Sequence, residues 1–348
     1  MSGSPLWLNA ALFALAAVVI WHAGTRLEHY ASIIARHTGL GQAFGGLLLL
    51  AVSTSLPEVA TTVTAVALLD NPTLAVHNLV GGVALQTGIL AIADRAKREP
   101  GALTFFSPKF VLLVEGLALV LLLQLTVAGI AAGGSPVIAS TSMWLVLVTG
   151  AYVGMVYVVY RHRHRPGWKP ERTDDAEHAP AVHESGATAP DRALRTIVWL
   201  FGAMSALVLV GGWLAAQTAD VLAAQTGLGD AFLGATLLAA ATSLPEVSTT
   251  VAAARRKRYT AAVSNVFGSN GFCLALLLVA DILYRDGTIL AGADLSMVFI
   301  ATIGAVMTCI YLWGLLEREN RTVAGIGWDS AAASAIYVGS VAVLYFMQ

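Results

Sequence analysis

Two glutamates stand where a membrane tolerates acids least. Glu58 and Glu246 each close the pentapeptide Thr-Ser-Leu-Pro-Glu, at 54–58 and 242–246, inside long apolar runs. A charged side chain near the middle of a bilayer costs at least about 2.5–3.5 kcal/mol and persists only with a partner. The nearest basic residues lie at the ends of those runs. The missing partner is most simply a bound cation or a proton. The prolines add to this. Pro57 has no N–H to give Ser53, and Pro245 none to give Ala241, so each helix is expected to kink or break and free carbonyl oxygens beside a carboxylate. Thr54, Ser55, Thr242 and Ser243 supply hydroxyls. All-oxygen surroundings with carboxylate charge suit a hard cation: Na⁺, Ca²⁺ or, more weakly, Mg²⁺. Soft-metal chemistry is not indicated.

A second polar strip follows each pentapeptide. Residues 75–87 read AVHNLVGGVALQT and 262–273 read AVSNVFGSNGFC. Their glycines allow close packing against the broken helices. Gln86 and Ser269 offer further oxygens. Asn78, Asn265 and Asn270 are read as helix-to-helix hydrogen bonds. Glu115 is a third membrane acid, six residues past Lys109, for which an interfacial, water-reaching role is expected. His22 and His77 are read as packing or interface histidines, and the run Arg161–Arg165 as topology-setting charge.

The elements that must position these residues are membrane helices. Of 348 residues, 57% are hydrophobic and 12% charged, with mean hydropathy +0.73. Soluble domains carry about 25% charged residues, so lipid must face much of this surface. At roughly 20 apolar residues per span, ten segments qualify, near 6–30, 41–69, 73–94, 109–132, 139–161, 193–217, 228–254, 259–284, 294–316 and 325–347. The N-terminus has no basic region before its apolar run, so a first span is expected rather than a signal peptide. Cys273 and Cys309 both lie in apolar runs, implying no disulfide.

Residues 38–65 and 226–253 are identical at 20 of 28 positions at a constant offset of 188. With five spans on each side of a polar stretch, the second copy must be inverted in the membrane. The expected organisation is a first five-helix repeat over 1–161, a polar linker over 162–191 and a second repeat over 192–348. Nineteen of the 20 Lys and Arg residues fall in loops after odd-numbered spans, and Arg285 alone falls opposite. That split puts both termini outside and the linker in the cytoplasm. The fold class is an all-α integral membrane protein of the cell's inner or plasma membrane, with spans 2, 3, 7 and 8 around the site.

At these residues the chain resembles the sodium/calcium exchanger family of the cation/Ca²⁺ antiporters. That family carries inverted repeats with T-S-L-P-E on one helix and G-N-x-x-G-S-N-x-x-(N/D) on the next. Both T-S-L-P-E copies match, and G-S-N stands at Gly268-Ser269-Asn270. The resemblance implies ion contacts at Thr54, Ser55, Glu58, Thr242, Ser243, Glu246 and Ser269, and movement of the first and sixth spans against the rest. The departures are Gly82 for the first-repeat serine, Gln86 for the asparagine after it, and Cys273 for the second-repeat aspartate. Gln86 still brings an amide oxygen; Cys273 is a soft, normally protonated group and a poor Ca²⁺ ligand. The implied function is a secondary cation antiporter exchanging Ca²⁺ against Na⁺ or H⁺. The alternative is a monovalent Na⁺ (or K⁺)/H⁺ antiporter using the same two glutamates. The expected partners are inorganic cations and the lipid bilayer, with no nucleic acid and no cofactor. Enzyme motifs such as H-E-x-x-H and G-x-S-x-G are missing from the sequence.

Overall fold

The structure is a computed structural model that describes residues 4–37, 53–107, 109–138, 140–162 and 191–347. The first half of the second expected span and most of the 162–191 linker lie outside the described residues. Helix α1 spans Leu6–His37 and α2 Leu56–Val63, continued by a π-helical turn at Thr64–Leu68. Then come α3 (Pro72–Ala96), α4 (Phe110–Ala131) and α5 (Met143–His162). The second half holds α6 (Asp191–Thr226), α7 (Asp230–Thr242, with a π turn at Gly234–Leu238) and α8 (Leu244–Arg255). It closes with α9 (Tyr259–Leu283), α10 (Leu295–Glu317) and α11 (Trp328–Phe346). Among the described residues, eight helices are long and apolar enough to cross a membrane, and the bent pair α7–α8 makes a ninth. The short apolar helix Leu56–Leu68 is the described part of the second span.

Two details depart from the expected spans. Helices α1 and α6 run on to 32 and 36 residues. At 1.5 Å per residue α6 is roughly 54 Å long, well beyond about 30 Å of hydrocarbon. Nothing in its polar end breaks a helix until Gly227, which takes φ 71° and donates its N–H to the Ala223 carbonyl. The fifth and tenth spans start later than expected. Each is preceded by a two-stranded antiparallel ribbon, Val137–Ile138 with Thr141–Ser142 and Thr322–Val323 with Ile326–Gly327. The all-helical fold thus carries two small β elements, one in each half.

Burial separates a core from a rim. The most apolar window of α3 is 83% buried and that of α9 61%, against 22% for α1 and 17% for α6. Helices α3 and α9 pack against each other and against α8, α4 and α10, while α1 and α6 lie along one another outside. The two outer helices touch the centre through glycines. A Cβ on Gly24 would stand 2.5 Å from Pro245 Cγ, and one on Gly212 would stand 2.5 Å from Ala60 Cβ and 3.2 Å from the Pro57 carbonyl. These glycines are 188 residues apart, so each outer helix rests on the helix break of the opposite half.

Two buried aspartates lock the halves together. Asp94, near the end of α3, accepts the Gly327 N–H at 2.6 Å and the Lys97 ammonium at 2.5 Å. Asp281, near the end of α9, accepts the Ser142 N–H at 2.7 Å, the Ile289 N–H at 2.7 Å and the Thr288 hydroxyl at 2.7 Å. Each aspartate thus holds the ribbon before the last helix of the other half. Asp281→Ala should leave three buried donors unpaired and cost about 3 kcal/mol. A clear drop in the melting temperature of the purified protein in detergent is expected; an unchanged melting curve would show the clamp to be dispensable.

Candidate functional site

The two pentapeptides form the same local structure. Ser55 is a turn residue between helical residues 53–54 and α2, and Ser243 separates α7 from α8. In both, proline occupies the first turn of the new helix and the glutamate follows it. The α7–α8 bend is 51°, which bears out the break expected from Pro245. A carboxylate in the first turn of a helix is favoured by the helix dipole. Pro57 and Pro245 have no N–H to give the carbonyls four residues before them, Ser53 and Ala241, so each break withholds one helical hydrogen bond.

The breaks meet at the centre of the protein, where Glu58 and Glu246 are 2% and 0% exposed and close enough to repel one another. Their surroundings are reciprocal. Thr242, in the second half, stands beside Glu58, and Thr54, in the first, beside Glu246; the Thr242 hydroxyl itself donates to the Ala239 carbonyl at 3.2 Å. Gln86 Nε2 donates to Glu58 Oε1 at 3.4 Å and to Ser243 Oγ at 3.1 Å, while Ser269 Oγ donates to Glu246 Oε1 at 3.4 Å. Cys273 is fully buried beside Gln86, within range of both glutamates. Thr54, Glu58, Gln86, Thr242, Ser243, Glu246, Ser269 and Cys273 are therefore gathered in one buried chamber of side chains, and Ser55 is buried at the break beside Thr54. Four buried oxygens here have no hydrogen-bond partner: Glu58 Oε2, Glu246 Oε2, Gln86 Oε1 and Ser55 Oγ. Among the described residues, no three His, Cys, Asp or Glu side chains converge as a metal cage, so neutral oxygens must complete any cation shell.

The asparagines do what was expected of them. Asn78 Nδ2 donates to Thr61 Oγ1 at 3.0 Å, and Asn265 Nδ2 to Thr249 and Thr250 at 3.1 and 3.0 Å. Asn270 ties α9 to Thr87 at 3.0 Å. The two strips differ in exposure. Thr61, His77 and Asn78 are buried, whereas their repeat counterparts Thr249, Ser264 and Asn265 are half-exposed. The first strip is sealed by close packing: a Cβ on Gly81 would stand 2.4 Å from Ala235 Cα, and one on Gly234 would stand 2.8 Å from the Leu74 carbonyl.

The profile of the family described as "Sodium/calcium exchanger protein" matches residues 8–161 and 196–346. The chain belongs to this family. It is a membrane transporter of the cation/Ca²⁺ exchanger kind, not an enzyme. It is similar to CaxA of Alkalimonas amylolytica, 28% identical over 319 residues that cover 90% of this chain and 93% of CaxA. Its fold matches a crystal structure of the H⁺/Ca²⁺ exchanger CAX with a TM-score of 0.69 at 15% identity, covering 97% of this chain and 85% of CAX. It also matches the sodium–calcium exchanger NCX_Mj with a TM-score of 0.61 at 18% identity, covering 97% and 99%.

Within this exchanger fold, the readings of Glu115 and His77 change or sharpen. Glu115 is 5% exposed and faces inward, accepting a 2.8 Å hydrogen bond from Ser264; the water-reaching role expected for it is not what the structure shows. It lies about a turn and a half inside α4, and packing by α9 covers it. His77 is a satisfied buried histidine, bonded to the Thr73 carbonyl at 2.9 Å and Ser296 Oγ at 2.8 Å. Through its ring it also meets Asp294, the exposed N-cap of α10. That hydrogen bond, helped by Ser296 and the Met297 N–H, holds the Asp294 carboxyl well below the usual carboxylate range. Asp94 and Asp281 went unnoticed in the sequence, though the Ala-Asp pairs 93–94 and 280–281 continue the alignment at an offset of 187.

Gly82 is the counterpart of Ser269 at that offset, and a Cβ there would meet nothing within 4 Å. Gly82→Ser should therefore fold like the parent and add a hydroxyl to the chamber. Thermal melting should be unchanged. A large destabilisation would mean that the space beside Gly82 is needed for packing.

Proposed function

We propose that this chain is a secondary cation antiporter that exchanges Ca²⁺ against Na⁺ or H⁺ by alternating access at Glu58 and Glu246. The observation that carries this reading is the set of partnerless buried oxygens. Glu58 Oε2, Glu246 Oε2 and Gln86 Oε1 can accept but not donate when the acids are ionised, and all are sealed from water. Such groups are costly unless a cation joins them. Ca²⁺ takes six to eight oxygens at flexible angles. Two carboxylates, Gln86, Ser55 and the carbonyls freed at Pro57 and Pro245 can approach that number. The names of CAX and NCX_Mj, which couple Ca²⁺ to H⁺ and to Na⁺, support the same class of cargo.

The monovalent Na⁺ (or K⁺)/H⁺ reading draws on the two departures in the chamber. Gly82 brings no hydroxyl, and Cys273 stands where the family pattern has an aspartate, so ligand number and charge are both reduced. A smaller coordination demand is easier to meet with this set.

In the orientation proposed from the basic residues, both termini lie outside and the 162–191 linker lies in the cytoplasm between repeats 1–161 and 192–348. The half-exposed strip at Thr249, Ser264 and Asn265 then faces the cytoplasm, and the sealed strip faces outward. Helices α1 and α6 rest on the two breaks through Gly24 and Gly212, so their movement can alternate which strip is open.

Glu58→Gln and Glu246→Gln should each abolish tracer Ca²⁺ or Na⁺ exchange in proteoliposomes while the protein still elutes as a monodisperse peak. Normal transport by either folded variant would remove that glutamate from the site. Protons and cations compete for the same carboxylate oxygens, so the apparent cation affinity should fall as pH drops from 8 to 5.5. A flat affinity over that range would show that the glutamates bind no proton during the cycle.

A further inference from the structure

We infer that Glu115 is a second cation contact, a carboxylate station on the approach to Glu58 and Glu246 from the face that bears Arg255–Arg258; this rests on the reading of the central chamber as a cation site. Three observations converge on it. The first is chemical. Glu115 lies within a membrane helix, is 5% exposed, and its Oε2 has no hydrogen-bond partner while Oε1 is held by Ser264. It makes no ion pair among the described residues, and the basic residue nearest it in sequence, Lys109, is exposed at the N-cap of α4. A desolvated carboxylate with an open oxygen and no fixed positive neighbour is a functional group by default in a membrane.

The second observation is positional. Ser264 precedes Asn265, and Asn265 binds Thr249 and Thr250 on the helix that carries Glu246. A polar track therefore runs from Glu115 through Ser264 and Asn265 towards the chamber. Its members Thr249, Ser264 and Asn265 are half-exposed, whereas Glu115 lies buried beneath Ser264.

The third observation is the symmetry of the fold. At the repeat offset of 187, Ser264 corresponds to His77. His77 is also bonded to an acid on the fourth span of the opposite half, Asp294 at the start of α10. Each half thus places a polar residue just before its asparagine, against an acid from the other half's fourth span. The outer acid, Asp294, sits at the helix mouth and is paired with His77. The inner acid, Glu115, lies deeper and keeps one oxygen free. Only the inner one is arranged to receive a positive charge.

The test is side-specific kinetics. Tracer Ca²⁺ or Na⁺, whichever the parent protein carries, is presented to either face in everted and right-side-out membrane vesicles. Glu115→Gln should raise KM on the face bearing Arg255–Arg258 by about fivefold or more, leave KM on the opposite face near the parent value, and keep measurable turnover. Glu115→Asp, which retains the charge but shortens its reach, should fall between the two. No change on either face, or an equal change on both, would overturn the assignment, since a merely structural carboxyl has no reason to act from one side. If Glu115→Gln cannot be recovered folded, the same comparison with Glu115→Asp decides it. The central reading is tested separately: Glu58→Gln is read in protein that keeps Glu115, and its transport would sink the chamber without reference to α4.

Discussion

Two carboxylates facing each other in a dry interior cannot both stay charged without a positive charge between them. Coulomb repulsion at short range and the loss of hydration act in the same direction. Much of the centre of this protein answers that constraint. The helices break next to Pro57 and Pro245, so that Glu58 and Glu246 stand in the first turns of α2 and α8. Gln86 and Ser269 each spend a hydrogen bond on one carboxylate oxygen and leave the other open. Full satisfaction would make a stable core with no place for an ion. Partial satisfaction leaves acceptor oxygens that a cation would complete, as the proposed exchange requires.

The same geometry explains why neither half suffices alone. Thr54 stands beside Glu246 and Thr242 beside Glu58. Gly24 admits Pro245, and Gly212 admits Pro57 and Ala60. Asp94 holds the ribbon before α11, and Asp281 the ribbon before α5. In each pair the partner lies in the other half, so packing, site and clamp form together. Interlocked elements of this kind have discrete packed arrangements rather than a continuum. Exchanging the roles of two similar halves gives two arrangements of similar kind. The buried strip of Thr61, His77 and Asn78 and the half-exposed strip of Thr249, Ser264 and Asn265 are the two roles seen in a single conformation.

Similarity between the halves is incomplete, and the differences fall around the candidate site. Gly82 corresponds to Ser269, Gln86 to Cys273, and His77 to Ser264. Helix α4 carries a buried acid that bonds Ser264, whereas the corresponding acid at α10 is an exposed helix cap beside His77. A symmetric scaffold with asymmetric fittings gives an ion different surroundings on its two approaches. Under the proposed exchange, gradients drive net transport while affinities at the two faces need not match.

Sequence alone determined the class of the protein, its repeat and the pair of glutamates at its candidate site. Hydropathy shows as long apolar runs, because lipid contact demands them over some 20 residues at a time. Duplication shows as identity at a fixed offset, and the proline next to a mid-span glutamate marks both a break and a buried charge. The pairing of Asn78 with Thr61 and of Asn265 with Thr249 was also foreseeable as helix-to-helix bonding. What the sequence could not decide was which way a side chain faces and what lies across from it. Glu115 was placed near an interface by counting residues from Lys109, but the packing of α9 on α4 turned it inward and gave it Ser264. Asp94 and Asp281 look like ordinary helix-end acids until the opposite half brings Gly327 and Ser142 to them. The crossing of Thr54 to Glu246 and Thr242 to Glu58 depends on how two inverted halves dock. Docking is a sum of many weak contacts between residues far apart in the chain, and no local pattern records it.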